Sequence, residues 1–289
     1  MRQHLRMFAP FRTLAGAMSW FGRWLLLIPE AALLIVMLAL YLALDNAPIV
    51  GLAATGLVVL FLIRTLALHL GRIAIEAGHY RDANALLRVA MWLYPWSADA
   101  QALRGVFELA CGDASAAEIS LKRAIEFMPG QAGFYTALSS AQLDLGRPQE
   151  ALRSAQQALR INEHDAQPYL YLAEAEQACG ATDQVVEEWL REGLTLAQQP
   201  ELAAALQCAL AGHLLNTRRF AEASLMLNGA EALVMRCATL RQAELRYHLG
   251  ALFIAQGQAE RGREHFQGVE KIDPHGRHAA AAWRAARLS

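Results

Sequence analysis

Charge is scarce in this chain of 289 residues. Acidic and basic residues together make up 18%, and they nearly cancel, leaving a formal net charge of −1. So sparse a set offers no basic stripe to a phosphate backbone, and nucleic acid is not an expected partner. Cysteine is equally thin. Cys111, Cys179, Cys208 and Cys237 stand apart, with no C-x-x-C between them. That argues against dithiol or zinc-ribbon chemistry and for small packed hydrophobes, two of them next to turn glycines. No phosphate loop, dinucleotide fingerprint, nucleophile elbow or H-E-x-x-H occurs. No residue volunteers as nucleophile, base or ligand, so the expectation is a non-enzyme without cofactor or metal. The nine histidines are scattered. The closest pair, His275 and His278, falls in an Arg-containing turn and reads as solvated, because a metal needs more ligands. Glu187 and Glu188 are neighbours, point in different directions on a helix, and read as a wet face.

Apolar residues, by contrast, make up 55%, with an excess in the first 70 positions. Residues 1–23 hold Arg2, Arg6, Arg12 and Arg23, several aromatic rings and no acid, a basic amphipathic segment suited to a cytoplasmic interface. Trp24 to Leu44 is apolar except for Glu30. At about 1.5 Å per residue it can cross a hydrocarbon core of about 30 Å. Pro29 would start that helix and place Glu30 near the interface; the other reading is a functional carboxylate within the bilayer. Asp45 to Pro48 reads as a turn. Ile49 to Leu70 is a second span, with Arg64 able to snorkel to the headgroups. Residues 24–70 thus read as a transmembrane hairpin. Its loop has no Lys or Arg, whereas arginines flank both outer ends, so both termini are expected on the cytoplasmic side. A cleaved signal peptide is not expected, since the amino-terminal region is long, no convincing small-x-small cleavage site follows and a second span does.

Then a period sets in. Gly78, Gly112, Gly146 and Gly180 are each 34 residues apart. Ala83, Ala117 and Ala151 keep the beat, as do Ala90, Ala124 and Ala158, Leu87 with Leu121, and Pro95 with Pro129. A period near 34 is that of a stacked helix-turn-helix unit. In GHYRDANALLRVAMWLYP, GDASAAEISLKRAIEFMP and GRPQEALRSAQQALRINE the glycine, alanines and terminal proline resemble the tetratricopeptide repeat (TPR) family, with Glu163 in place of the third proline. The resemblance covers residues 64–276. It implies an all-α fold: the hairpin continuing into an α-solenoid of about six units. Residues 277–289 would form a capping helix over its last apolar face. Counting back 34 residues starts the first unit near Arg64, so its first helix is expected to be the inner end of the second span. Few Gly or Pro residues interrupt 56–78. After Gly180 the beat slips, with Val185 and Trp189 where small or aliphatic residues are expected. The next unit keeps Arg218, Phe220 and Ala223 but lacks the glycine.

A TPR solenoid implies a concave surface that binds a peptide or helix. Its expected lining, from the first helix of three units, is Thr136, Ser140 and Leu143; Leu170, Glu174 and Gln177; and Tyr247, Ala251 and Ile254. The Lys, Arg and Asn set of carboxylate-gripping TPR grooves is missing there, and a helix or apolar segment suits the neutral surface better. Two spans followed at once by TPRs resemble the Pel-type (PelE) family of inner-membrane subunits of exopolysaccharide synthases. That resemblance implies a scaffold in the bacterial inner membrane, touching the bilayer, a cyclic-di-GMP receptor subunit and a glycosyltransferase. HemY-like membrane TPR proteins, linked to tetrapyrrole synthesis, share the layout. A membrane enzyme or cofactor-handling protein using Glu30 is the reading from another class.

Overall fold

The computed structural model describes residues 36, 37, 39, 41 and 48–288, without the side chains of Leu240 and Leu288. The amino-terminal segment 1–23, Glu30 and most of the expected first span lie outside these residues. Among the described residues there are thirteen helices and no strand. Two units divide between Ala67 and Leu68.

The first helix, α1 (Pro48–Glu76), runs through this division without a break. It is the one described helix long and apolar enough to cross a membrane. Its Thr55 and Thr65 hydroxyls donate to the carbonyls of Gly51 and Phe61, both at 2.9 Å, so neither hydroxyl is left unpaired. Arg64 lies on this helix with its guanidinium 5.6 Å from the Phe61 ring.

In the second unit the helices go in pairs. The end of α1 pairs with α2 (Tyr80–Leu93), α3 (Ala98–Ala110) with α4 (Ala114–Phe127), and α5 (Ala132–Asp144) with α6 (Pro148–Ile161). Next come α7 (Gln167–Ala178) with α8 (Asp183–Leu196), α9 (Pro200–Asn216) with α10 (Phe220–Val234), and α11 (Thr239–Ala255) with α12 (Ala259–Ile272). A last helix, α13 (Ala279–Leu288), covers the end. The periodic alanines are the contact points: Ala83, Ala90, Ala117, Ala124, Ala151 and Ala158 are all fully buried. With only a methyl group at each, helix axes approach closely, and Leu87 and Leu121 fill what remains.

Each pair is joined by the same turn. Gly78 donates to the Ile75 carbonyl and His79 to that of Ala74, and the pattern returns at Gly112, Gly146, Gly180 and Gly257. These two bonds close a helix end only if the glycine position has positive φ. In the fifth pair Arg218 does this at φ 61°, with its amide on Leu215 and that of Arg219 on Leu214. The unit that lacks the glycine therefore keeps the turn and places an L-residue in the glycine conformation.

The slip after Gly180 is one residue. α6 starts two positions after Gly146, but α8 starts three after Gly180. The buried stripe of α8 is thus Val186, Leu190 and Gly193, not Val185 and Trp189. A Cβ on Gly193 would lie 2.8 Å from the Tyr169 Cβ, so the two helices touch there. The cysteine expectation also divides. Cys208 and Cys237 are core residues, whereas Cys111 and Cys179 are exposed at the ends of α3 and α7.

Candidate partner-binding groove

The first helices of successive pairs line the inner face of the second unit. A cavity of about 480 Å³ lies among α5, α7, α9 and α11. Six of the nine expected residues border it: Ser140, Leu143, Leu170, Glu174, Gln177 and Ala251. Three do not. Thr136 is 1% exposed and donates to the Ala132 carbonyl at 3.1 Å. Tyr247 faces α12 and the turn after it, against Phe266 and His278. Ile254 packs in the same final cluster. The inner stripe of α11 runs through Arg241, Glu244, His248 and Ala251, one helical position away from the stripe expected from apolar residues.

These residues make the groove far more charged than its apolar pattern implied. Arg241 donates to Glu244 at 2.6 Å. From the turn before α13, Arg277 donates to Asp144 at 3.1 Å and approaches Glu244 at 3.9 Å. Burial alone would push the Glu244 carboxyl up, but Arg241, Arg277 and His248 outweigh it and hold it at about 2. Glu174 has no ion pair or hydrogen bond among the described residues. It is open to solvent in the groove, yet protein crowds it on the concave side. That desolvation, then the charges of Glu244 and Asp144, push it up to about 7. His213, 3% exposed, also borders the cavity, and neither ring nitrogen has a protein partner. Arg241, Glu244 and His248 share one helix face, so their i, i+3 and i+7 spacing was a usable signal. Arg277 comes from a turn and left none.

The carboxyl-terminal turn closes over the other half of this face. Asp273, buried after α12, accepts a hydrogen bond of 2.7 Å from the Tyr80 hydroxyl, 193 residues away. The Cβ position of Gly78 lies 3.6 Å from Asp273 Oδ1, and that of Gly112 lies 3.5 Å from the Arg277 Cβ. A smaller cavity of about 110 Å³ remains between this turn and α3 and α5. The chain's own end thus occupies the inner face of the early pairs.

Comparison with known proteins agrees with this geometry. Residues 132–165, which hold α5 and α6, match the family model of the tetratricopeptide repeat. The second unit is a TPR-type solenoid. A TPR protein of Parabacteroides merdae matches at 17% identity, over 78% of this chain and 83% of that one, with a TM-score of 0.58. PilW, a type IV pilus biogenesis factor, matches at 16% identity over 76% and 98%, with a TM-score of 0.53. The Cut9–Hcn1 assembly of the APC/C matches at 16% over 74% of this chain, with a TM-score of 0.57, and the match spans 40% of that chain. Identities this low establish the TPR fold alone. No curated protein sequence matches. TPR folds are generally protein-interaction modules.

Proposed function

We propose that this is a non-catalytic scaffold of the bacterial inner membrane, whose cytoplasmic solenoid holds a segment of a partner protein in the groove between α5 and α11. The observation that carries the proposal is Glu174, a carboxylate facing the 480 Å³ cavity that forms no ion pair with a cation among the described residues, Arg277 reaching it only at longer range. A bound segment bearing a Lys or Arg side chain would supply that charge. His213 offers a second unmet polar group in the same wall. Membrane attachment is supported by α1, whose apolar window is wholly unburied, and by arginines at both outer ends of the expected hairpin at 24–70.

Within that role we favour a Pel-type exopolysaccharide synthase complex, with a cyclic-di-GMP receptor subunit and a glycosyltransferase as partners. The support is the layout alone: apolar spans followed at once by TPRs. The test is to purify the detergent-solubilised protein from its native host and identify its companions, with a photo-crosslinker at Gln177 to mark those in the groove. Glycosyltransferase peptides cross-linked at that position are expected. Haem-pathway enzymes there would move the assignment to the HemY-like group. A protein recovered alone, with bound pigment or lipid substrate, would overturn the scaffold reading.

A further inference from the structure

Glu244 and His248 lie one turn apart on the groove stripe of α11. His278, just before α13, meets them there: one ligand atom from each lies within 4.8 Å of the other two. The His278 ring is held by stacking on Tyr247, at 4.5 Å between centroids and 19° between planes. It stands edge-on to His248 at 5.7 Å and 69°. Packing therefore orients one imidazole before any ligand arrives. Bonds of about 2.0–2.1 Å to a tetrahedral zinc ion place ligand atoms about 3.3 Å apart. Closing the set from its present spacing takes a movement on the order of 1 Å, within the reach of side-chain rotation.

A cation already sits beside these acceptors. The Arg277 guanidinium donates through Nε to His278 Nε2 at 2.9 Å and through Nη1 to Asp144 at 3.1 Å, while Nη2 is 3.9 Å from Glu244. Its contacts come from α5, α11 and its own turn. Around it three carboxylates, Asp144, Glu174 and Glu244, face two guanidiniums, Arg241 and Arg277. The surroundings are acceptor-rich, with room for exchange where the cluster opens into the cavity.

We propose that Glu244, His248 and His278 form a binding site for a divalent ion of the zinc class, taken up in exchange for the Arg277 side chain. Two imidazoles and one carboxylate select a borderline transition metal over Mg²⁺ or Ca²⁺, which require oxygen ligands throughout. The fourth position is left to water or to Asp144. Because His278 immediately precedes the capping helix, the ion would tie that helix to α11 at the edge of the groove.

The test is a titration of the full-length, detergent-solubilised protein with Zn²⁺ against a fluorescent zinc chelator. One equivalent is expected, and Co²⁺ in its place should give the visible absorption of a tetrahedral site. His248→Gln with His278→Gln should weaken Zn²⁺ binding by about 100-fold or more. Arg277→Ala should tighten it, by roughly 10-fold, because the competing cation is gone. Helix content of each variant is checked by circular dichroism. Failure of the wild-type protein to take up Zn²⁺ at micromolar concentration, needing no variant, overturns the proposal. So does an equivalent of Zn²⁺ that survives loss of both histidines. Unchanged affinity in Arg277→Ala would remove the exchange with arginine.

Discussion

Glu174 holds its proton more tightly in the folded chain than in the unfolded one, at about 7 against an ordinary 4.5. The sign follows. Below pH 4.5 both states are protonated and the residue is neutral in its effect. Between pH 4.5 and about 7 the unfolded chain gives up this proton while the folded one keeps it, so stability falls across that window and stays lower above it. Glu174→Gln is therefore expected to raise the melting temperature at pH 8 and to leave it unchanged near pH 4.5. Solvent in the groove screens much of the effect, so about 1 kcal/mol, or roughly 2–4 °C, is the expected size. An equal shift at both pH values would mean that charge is not the cause. Arg218 gives a second residue-scale case. An L-residue at φ 61° is strained, and Arg218→Gly should stabilise the fifth turn by about 0.5–1 kcal/mol, read from urea unfolding. Only half of this was legible in the chain. The missing glycine at 218 could be read directly; that the turn would persist without it could not, because neighbouring pairs impose it.

At the scale of elements, small residues at a fixed spacing made the helix pairs readable, since only one packing puts every periodic alanine between helices. Two details escaped the same logic. One extra residue before α8 rotates its buried stripe onto Val186, Leu190 and Gly193. On α11, Tyr247 and Ile254 suit either a groove or a core, and the choice falls to Phe266 and His278, which lie far along the chain. Gly193 tests the α7–α8 contact. A methyl group there meets the Tyr169 Cβ at 2.8 Å and Leu206 at 3.1 Å. Gly193→Ala is expected to cost about 1–3 kcal/mol through overpacking, despite the better helix propensity of alanine. A stabilised variant in urea denaturation would show that the helices can part without penalty. Charged side chains also link neighbouring pairs in a recurring way: Glu118 with Arg147, Glu187 with Arg219, and Glu231 with Arg261. Glu187 thus serves as an ion-pair partner, where its sequence context showed only a wet face.

Across the whole second unit, the bond from Tyr80 to Asp273 departs from how repeat arrays ordinarily hold together. In a solenoid each repeat touches only its neighbours; here the first turn and the last meet directly. No local pattern encodes such a meeting, which is why it was invisible in the repeats. Tyr80→Phe leaves the ring in place and strands a buried carboxylate, so a loss of about 1–3 kcal/mol is expected. Faster amide exchange should appear in α13 (Ala279–Leu288), measured by mass spectrometry. Exchange that quickens only near Tyr80 would show that the closure does not hold the cap.

The clasp also fixes an order of events in the cell. Its two partners are separated by 193 residues, about 10–40 s of synthesis at ordinary elongation rates. During that interval the early pairs emerge one after another, while the turn that will cover their inner side does not yet exist. A molecule that meets the nascent chain then finds a surface which the finished protein keeps to itself.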